Sequence, residues 1–383
     1  MLKYSKSAFI FLLSFFSVLS SGQAKQDFLE LLTVKFQKYC NSVPREEIYV
    51  HTDRQEYVAG EEMWFSVCLF DRQTGKPSAD SRIAYFEILN PDSRPVVQKR
   101  INLEEGYGPG QIVLPDSLSS GIYTLRAYTN WMKNFLPENC FAIRFPVLNA
   151  LNNKSYNRNG EFKTPLSKIL PETRSSVITE SGLNIGIDKR SPESVRIIVN
   201  STRDFRLVGG STCYIFVQTH GVINFRQVVN LSDEAVAISI PVELLVPGIN
   251  HITLFSASGN PLIEKLIYTP FPKTGSLSIA ETVNLKPREK IPVTIKINGN
   301  PSLRLSSRNM SISVAAAGNR IFPDIDDYMI FGSEYGLLSD ELIKSLVRDF
   351  PADSIDKFLS SMKSNWIDWN RIIKGDLSGL KYN

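Results

Sequence analysis

The sequence predicts a mainly β chain, with β-sandwiches in tandem followed by a helical C-terminal tail. Three observations carry that expectation. Short runs alternating every two residues, divided by Gly, Pro and Asp turns, fill residues 45–148. A weaker version of the same order and spacing occupies residues 175–274. Past residue 320 the texture changes to apolar residues at helical spacing.

Length and composition set the frame. The 383 residues are enough for two or three domains, and 43% hydrophobic with 21% charged residues suits a chain that buries real cores. Residues 1–24 read as a secretory signal. Lys3 and Lys6 open it, Ala8 to Leu19 is an apolar run short for a bilayer, and Gly22-Gln23-Ala24 offers small residues for cleavage. Removing Lys3 and Lys6 from the +4 total leaves 41 basic against 39 acidic residues, near +2. The basic residues are scattered, so nucleic acid is not an expected partner. No later run reaches the roughly 18 apolar residues of a membrane helix, so no transmembrane segment is expected in the mature chain. The expected location is exported, in the periplasm or at the outer membrane.

Residues 25–44 form an N-terminal helix. Phe28, Leu31, Leu32, Lys35, Phe36 and Tyr39 give one apolar face, Asp27 can cap it, and Pro44 ends it. Its expected role is a lid packed on the sandwich. The first sandwich, 45–148, opens with Ile48, Val50 and Thr52 alternating with Tyr49 and His51. Met63 to Phe70 reads as a core strand, Ala84 to Leu89 as another, ended by Asn90-Pro91-Asp92-Ser93. Gly106, Gly108, Pro109 and Gly110 read as a flexible hairpin loop, and no Gly-Lys-Ser/Thr follows to make a phosphate loop. Residues 149–174 are a polar linker.

In the second sandwich, Val199 to Gly210 matches Tyr49 to Gly60, with Arg203 where Arg54 stands. Cys213 to Thr219 mirrors Met63 to Phe70, and Ile240 through Gly248-Ile249 mirrors Leu114 through Gly121-Ile122. A partial third β-unit covers 275–320, with strands at Ile291 to Ile297 and Asn309 to Ala316. The tail, 321–383, has helical spacing at Ile325 to Phe331, Leu337 to Phe350 and Ser354 to Ile373.

Candidate chemistry is sparse. Of three histidines, His51 and Asp53 share one strand face, which suits a hydrogen-bonding pair better than a metal pair. His220 precedes a hairpin Gly221, and His251 sits in a strand. Asp324, Asp326 and Asp327 lack the spacing of a calcium loop and suit a helix N-terminus. Catalytic, cofactor and metal residues are therefore expected to be none. Trp366 and Trp369, three apart on one predicted helix face, suit core packing, with a partner-binding face as the other reading. Cys68 and Cys213 lie in apolar strands and read as buried thiols. Cys40 and Cys140 flank the first sandwich and could bridge, with the pairing left open.

Two blocks carry a family resemblance. His51-Thr52-Asp53-Arg54, with Tyr57-Val58-Ala59-Gly60-Glu61 and Trp64-Phe65, resembles the opening of a macroglobulin domain of exported Bacteroidetes proteins. Leu114-Pro115-Asp116-Ser117-Leu118, with Gly121-Ile122-Tyr123, Leu125 to Met132 and Asn134, is similar to its closing strands. Ile325-Asp326-Asp327-Tyr328 and Trp366-Ile367-Asp368-Trp369 resemble the segment that follows the β-domains there. The resemblance implies tandem macroglobulin-like (immunoglobulin- or fibronectin-like) sandwiches. It also implies a non-enzymatic scaffold or binding protein of the cell envelope, linked to a TonB-dependent receptor system. Long members continue into a carboxypeptidase-regulatory-like domain and a TonB plug, which this sequence stops short of. The fold name also implies non-covalent protease inhibition as the alternative. The thioester run Cys-Gly-Glu-Gln of the trapping inhibitors is absent from the sequence. The implied partner is an outer-membrane receptor or a protease.

Overall fold

The computed structural model describes residues 27–151, 182–208, 210–271, 275–279, 290, 292–299, 310–314, 325–336, 355–356, 359 and 362–382. The expected signal segment, most of the expected linker and the helix expected at Leu337 to Phe350 lie outside these. The chain is mainly β, and two sandwiches stand in tandem.

The first contains β1 (Glu46–Thr52), β2 (Tyr57–Val58), β3 (Glu62–Asp71), β4 (Lys76–Pro77), β5 (Ile83–Leu89), β6 (Pro95–Asn102), β7 (Tyr107–Val113), β8 (Gly121–Thr129) and β9 (Phe141–Leu148). One sheet sets β3 between β1 and β7, with β4 also on β3; the other runs β2-β9-β8-β5-β6. Alternation decides the faces. Met63, Phe65, Val67 and Leu69 of β3 point inward, while Trp64 is 52% exposed and Cys68 half-buried on the outer side.

The glycines at 108 and 110 are strand, not loop. They sit inside β7, and the hairpin turn falls earlier, where Glu104 pairs with Tyr107. A Cβ at Gly110 would lie 2.3 Å from the Phe65 ring, which stacks on Phe86 at 4.0 Å. Close approach of that aromatic pair to the strand backbone is what Gly110 allows, while a Cβ at Gly108 would meet the Asn102 carbonyl at 2.4 Å.

The second sandwich contains β10 (Leu183–Asp188), β11 (Ser194–Ser201), β12 (Thr212–Thr219), β13 (Val222–Asn230), β14 (Ala235–Pro241), β15 (Gly248–Ser256) and β16 (Pro261–Thr269). Its sheets run β10-β11-β14 and β13-β12-β15-β16. This pairing reproduces β1-β3-β7 and β6-β5-β8-β9 strand for strand. The equivalences shift the sequence alignment in its first half. β11 corresponds to β3 rather than β1, and β12 to β5 rather than β3. In place of β4, a short helix Arg203–Val208 follows β11. The closing half holds, since Gly121 and Gly248 each open the strand after β7 and β14. Two further strands, β17 (Gly275–Ile279) and β18 (Ile295–Gly299), pair antiparallel, while 310–314 runs without strand pairing among the described residues.

The N-terminal helix, 27–42, packs mainly on the second sandwich, with Trp131 and Phe135 of the first at the edge of the same core. Leu29, Leu32, Phe36 and Tyr39 join Tyr214, Phe216 and Phe255 from the outer face of β12 and β15. Trp366, Ile367, Trp369 and Ile372 of the tail complete this core. Lys35 donates to the Ile373 carbonyl, and Tyr39 to that of Trp366 at 2.6 Å. The two ends of the chain thus cover one sheet together.

Among the described residues of the tail, the expected Ser354 to Ile373 helix is interrupted. Ile325–Phe331 is a helix, as expected, but Trp366 precedes the last one, Trp369–Lys374. Ser364 Oγ accepts from the Trp366 and Ile367 amides, turning the chain. Asp368 then caps the helix by accepting from Asn370 and Arg371. The two tryptophans therefore share a core without sharing a helix face. All four cysteines are free thiols, and burial pushes Cys40 and Cys140 up to about 12, which leaves them inert.

Candidate functional site

The densest chemistry lies where the two sandwiches meet the 325–336 segment. The Ile325–Phe331 helix ends on Gly332, whose φ of 57° is the left-handed conformation that favours glycine. A Cβ there would lie 2.4 Å from Glu47 Oε2. The Arg72 guanidinium, at the end of β3, donates to the last-turn carbonyls of Met329 and Ile330, a cation on a helix C-terminus.

Glu47 of β1 accepts from Tyr328 Oη at 2.8 Å and from the Ser333 amide at 2.8 Å. Arg45 donates to the Ser333 carbonyl at 3.1 Å, and Asn139 to its hydroxyl at 2.7 Å. The next residue, Glu334, reaches into the second sandwich. Its carboxylate lies 3.3 Å from His251 Nε2, 3.6 Å from His220 Nδ1 and 3.9 Å from Arg72 Nε. Ser364 donates to it at 2.8 Å, and the Asn365 amide donates to its backbone carbonyl. On its other side His251 faces Glu264 at 3.5 Å, and Tyr335 Oη lies 2.5 Å from Nε2. Glu334, Glu47 and His251 are 0% exposed.

Electrostatics follow from this packing. Burial alone would push His251 down, but pairing with Glu264 and Glu334 outweighs it and raises the imidazole to about 9. Burial pushes His220 down, the Arg72 charge adds to it, and Glu334 only partly opposes, leaving it at about 4. Burial would raise Glu334, yet the two histidines hold it well below the usual carboxylate range. With His220 neutral, the cluster sets three cations (Arg45, Arg72, His251) against three carboxylates (Glu47, Glu264, Glu334). A balanced set is what buried charges require, because an unpaired one costs several kcal/mol.

Such an arrangement can fix three bodies against one another. A pocket of about 290 Å³ in the second sandwich lies between Asp188, Arg190, Ser191, Ser194 and Arg196, apart from these groups.

The residues singled out from sequence go to different places. His51 faces Ser311 and Ser313, at 2.7 and 3.2 Å from their hydroxyls. Asp53 accepts from Tyr57 Oη and the Trp64 amide, and Arg54 spans Asp53 and Glu61. This block is thus a bracket that shapes the β1–β3 connection. Backbone bonds from Gly60 to the Leu114 carbonyl and from Leu114 to that of Glu61 join it to the closing block. Asp326 is exposed at the start of its helix. Trp366 and Trp369 are each 2% exposed; the Trp366 indole donates to the Val43 carbonyl, and Trp369 packs against Phe36, Phe216 and Phe255. A partner would have to displace the N-terminal helix to reach them.

Sequence reasoning missed Glu47, Arg72, Glu264 and Glu334. Arg45-Glu46-Glu47 looks like a solvated strand start, yet all three are buried. The available signal was His251, a titratable residue inside a strand that reads as buried on both faces.

No family model and no curated protein matches the chain. Among solved structures it is similar to a Salmonella alpha-2-macroglobulin, at 12% identity and a TM-score of 0.23, covering 61% of this chain and 15% of that one. A trypsin-activated Escherichia coli alpha-2-macroglobulin matches at 12% identity and 0.23, over 61% and 16%. The Yersinia pseudotuberculosis adhesin InvE matches at 9% identity and 0.19, over 60% of each chain. The chain therefore spans about one sixth of the macroglobulins it matches.

Proposed function

We propose that this chain is a non-enzymatic, exported scaffold of macroglobulin-like type, acting in the periplasm or at the outer membrane alongside a TonB-linked receptor. The observation that carries the reading is the buried cluster at the junction. It spends the groups most capable of acid–base chemistry on locking two sandwiches into one body. His220 and His251 are walled in, and His51 is engaged by two serines. The described parts of the tail serve the same lock. Asp356 pairs with Lys189 and accepts from the Tyr268 amide, and Asn134 holds the backbone of Lys381 and Tyr382. Binding is thus assigned to the outer sheet faces of the first sandwich, since residues 27–42 and the tail cover that of β12 and β15 in the second. The two sequence blocks that resemble macroglobulin domains, and the apolar segment at the N-terminus that resembles a secretory signal, support the envelope location.

A pull-down from envelope fractions with the full chain tests this. Enrichment of an outer-membrane receptor is the expected result. Stoichiometric loss of activity across a panel of proteases mixed with the purified chain would replace the scaffold reading with an inhibitor.

A further inference from the structure

The outer face of the five-stranded sheet carries a second organised cluster, separate from the junction, whose Tyr85 and Tyr128 also pack against the first core. Two rows cross β6, β5 and β8. Arg100 stands opposite Tyr85 and Tyr85 opposite Tyr128; Gln98 stands opposite Glu87 and Glu87 opposite Arg126. The Tyr85 and Tyr128 rings stack at 5.4 Å. Lys133 Nζ lies 3.9 Å from the Tyr85 centroid, and the Arg100 guanidinium 5.9 Å from it. Arg126 lies 5.4 Å from the Tyr128 centroid. Glu87, buried at the floor, accepts from Arg126, Gln98 and Tyr128 Oη. Its charge is consumed internally. Nearby, Asn134 pins the backbone of the exposed Lys381 beside Tyr382, whose ring lies 5.7 Å from Lys133.

The balance is four cations to one spent carboxylate. Among the described residues no carboxylate pairs with Arg100, Lys133 or Lys381. Cations held over aromatic faces are ordered in advance, so a ligand need not order them on binding. We infer that this face docks an acidic segment of a protein partner, its carboxylates meeting Arg100, Lys133 and Lys381. A stacked sugar suits it less, because Tyr128 and Lys133 already occupy the ring faces of Tyr85. The inference rests on the scaffold reading above and supplies the partner's chemistry.

The test titrates the full chain with a fluorescent ten-residue peptide of alternating Glu and Ser. Saturable binding that weakens steadily with added salt is expected. The double variant Arg100→Glu/Lys133→Glu should weaken it at least tenfold with an unchanged melting curve. Arg190→Glu, a charge reversal at an exposed residue of the second sandwich, should leave it unchanged. Equal weakening by Arg190→Glu, absence of saturable binding, or preference for polygalacturonate over the peptide would each overturn the inference. An envelope partner recovered equally by wild type and double variant would sink this surface while leaving the scaffold reading intact. Peptide binding without any envelope partner would count against the scaffold reading instead.

Discussion

Replacing Glu334 by Gln isolates the lock. The change keeps the side-chain shape and an acceptor for Ser364, but removes one of three negative charges from a buried, balanced set. The partners left behind are His251 at 3.3 Å, His220 at 3.6 Å and Arg72 at 3.9 Å. Removing one member of a buried pair costs about 3–5 kcal/mol. His251 retains Glu264 at 3.5 Å, which places the expected loss near the lower bound, about 3 kcal/mol. Urea unfolding followed by tryptophan fluorescence measures it, and Trp366 reports directly because it follows the Ser364–Asn365 turn on Glu334. In parallel, proton NMR should show the His251 imidazole falling from about 9 toward its ordinary 6.5. A loss below about 1 kcal/mol, with His251 still titrating near 9, would refute the assignment of Glu334 as the keystone.

Four further outcomes are expected. His251, raised to about 9, contributes stability that is whole below its ordinary 6.5 and is lost as pH rises through 9, while His220, lowered to about 4, contributes stability that is whole above 6.5 and is lost as pH falls through 4. Urea midpoints should therefore peak near pH 6.5, and His251→Asn should flatten the alkaline limb. Trp369→Ala should cost about 3–5 kcal/mol and expose residues 27–42 to limited proteolysis; an unchanged midpoint would contradict the core placement. Gly110→Ala should cost about 1–3 kcal/mol by driving a methyl into the Phe65 ring, read by urea midpoint. Asp368→Ala should cost about 1 kcal/mol and speed amide exchange at Asn370 and Arg371.

Much of the first sandwich was legible because its signals are local. Alternation in β1 and β3, and turn residues after β5, act over a few positions, so a linear reading finds them. The exceptions show what that reading lacks. Gly108 and Gly110 carry turn chemistry in sequence, but the ring of Phe65, more than forty positions earlier, claims the space above Gly110, and the Asn102 carbonyl that above Gly108. In the repeat, opening strands of similar pattern were matched one strand out of step. Local pattern does not say which sheet a strand joins; pairing does.

By itself the sequence determined the β-rich class, the two tandem sandwiches, the Ile325–Phe331 helix and the apolar character of the tail. Each follows from hydrophobic periodicity or turn chemistry within a short window. The tertiary structure alone decided that the N-terminal helix crosses to the second sandwich, where Tyr39 meets Trp366 across 327 positions. It alone brought Arg72, His220, His251 and Glu334 within 4 Å. Along the chain Arg72 and Glu334 sit among turn residues that read as a solvated face. Only desolvation at a three-body junction, where every charge must find a partner, turns them into a lock.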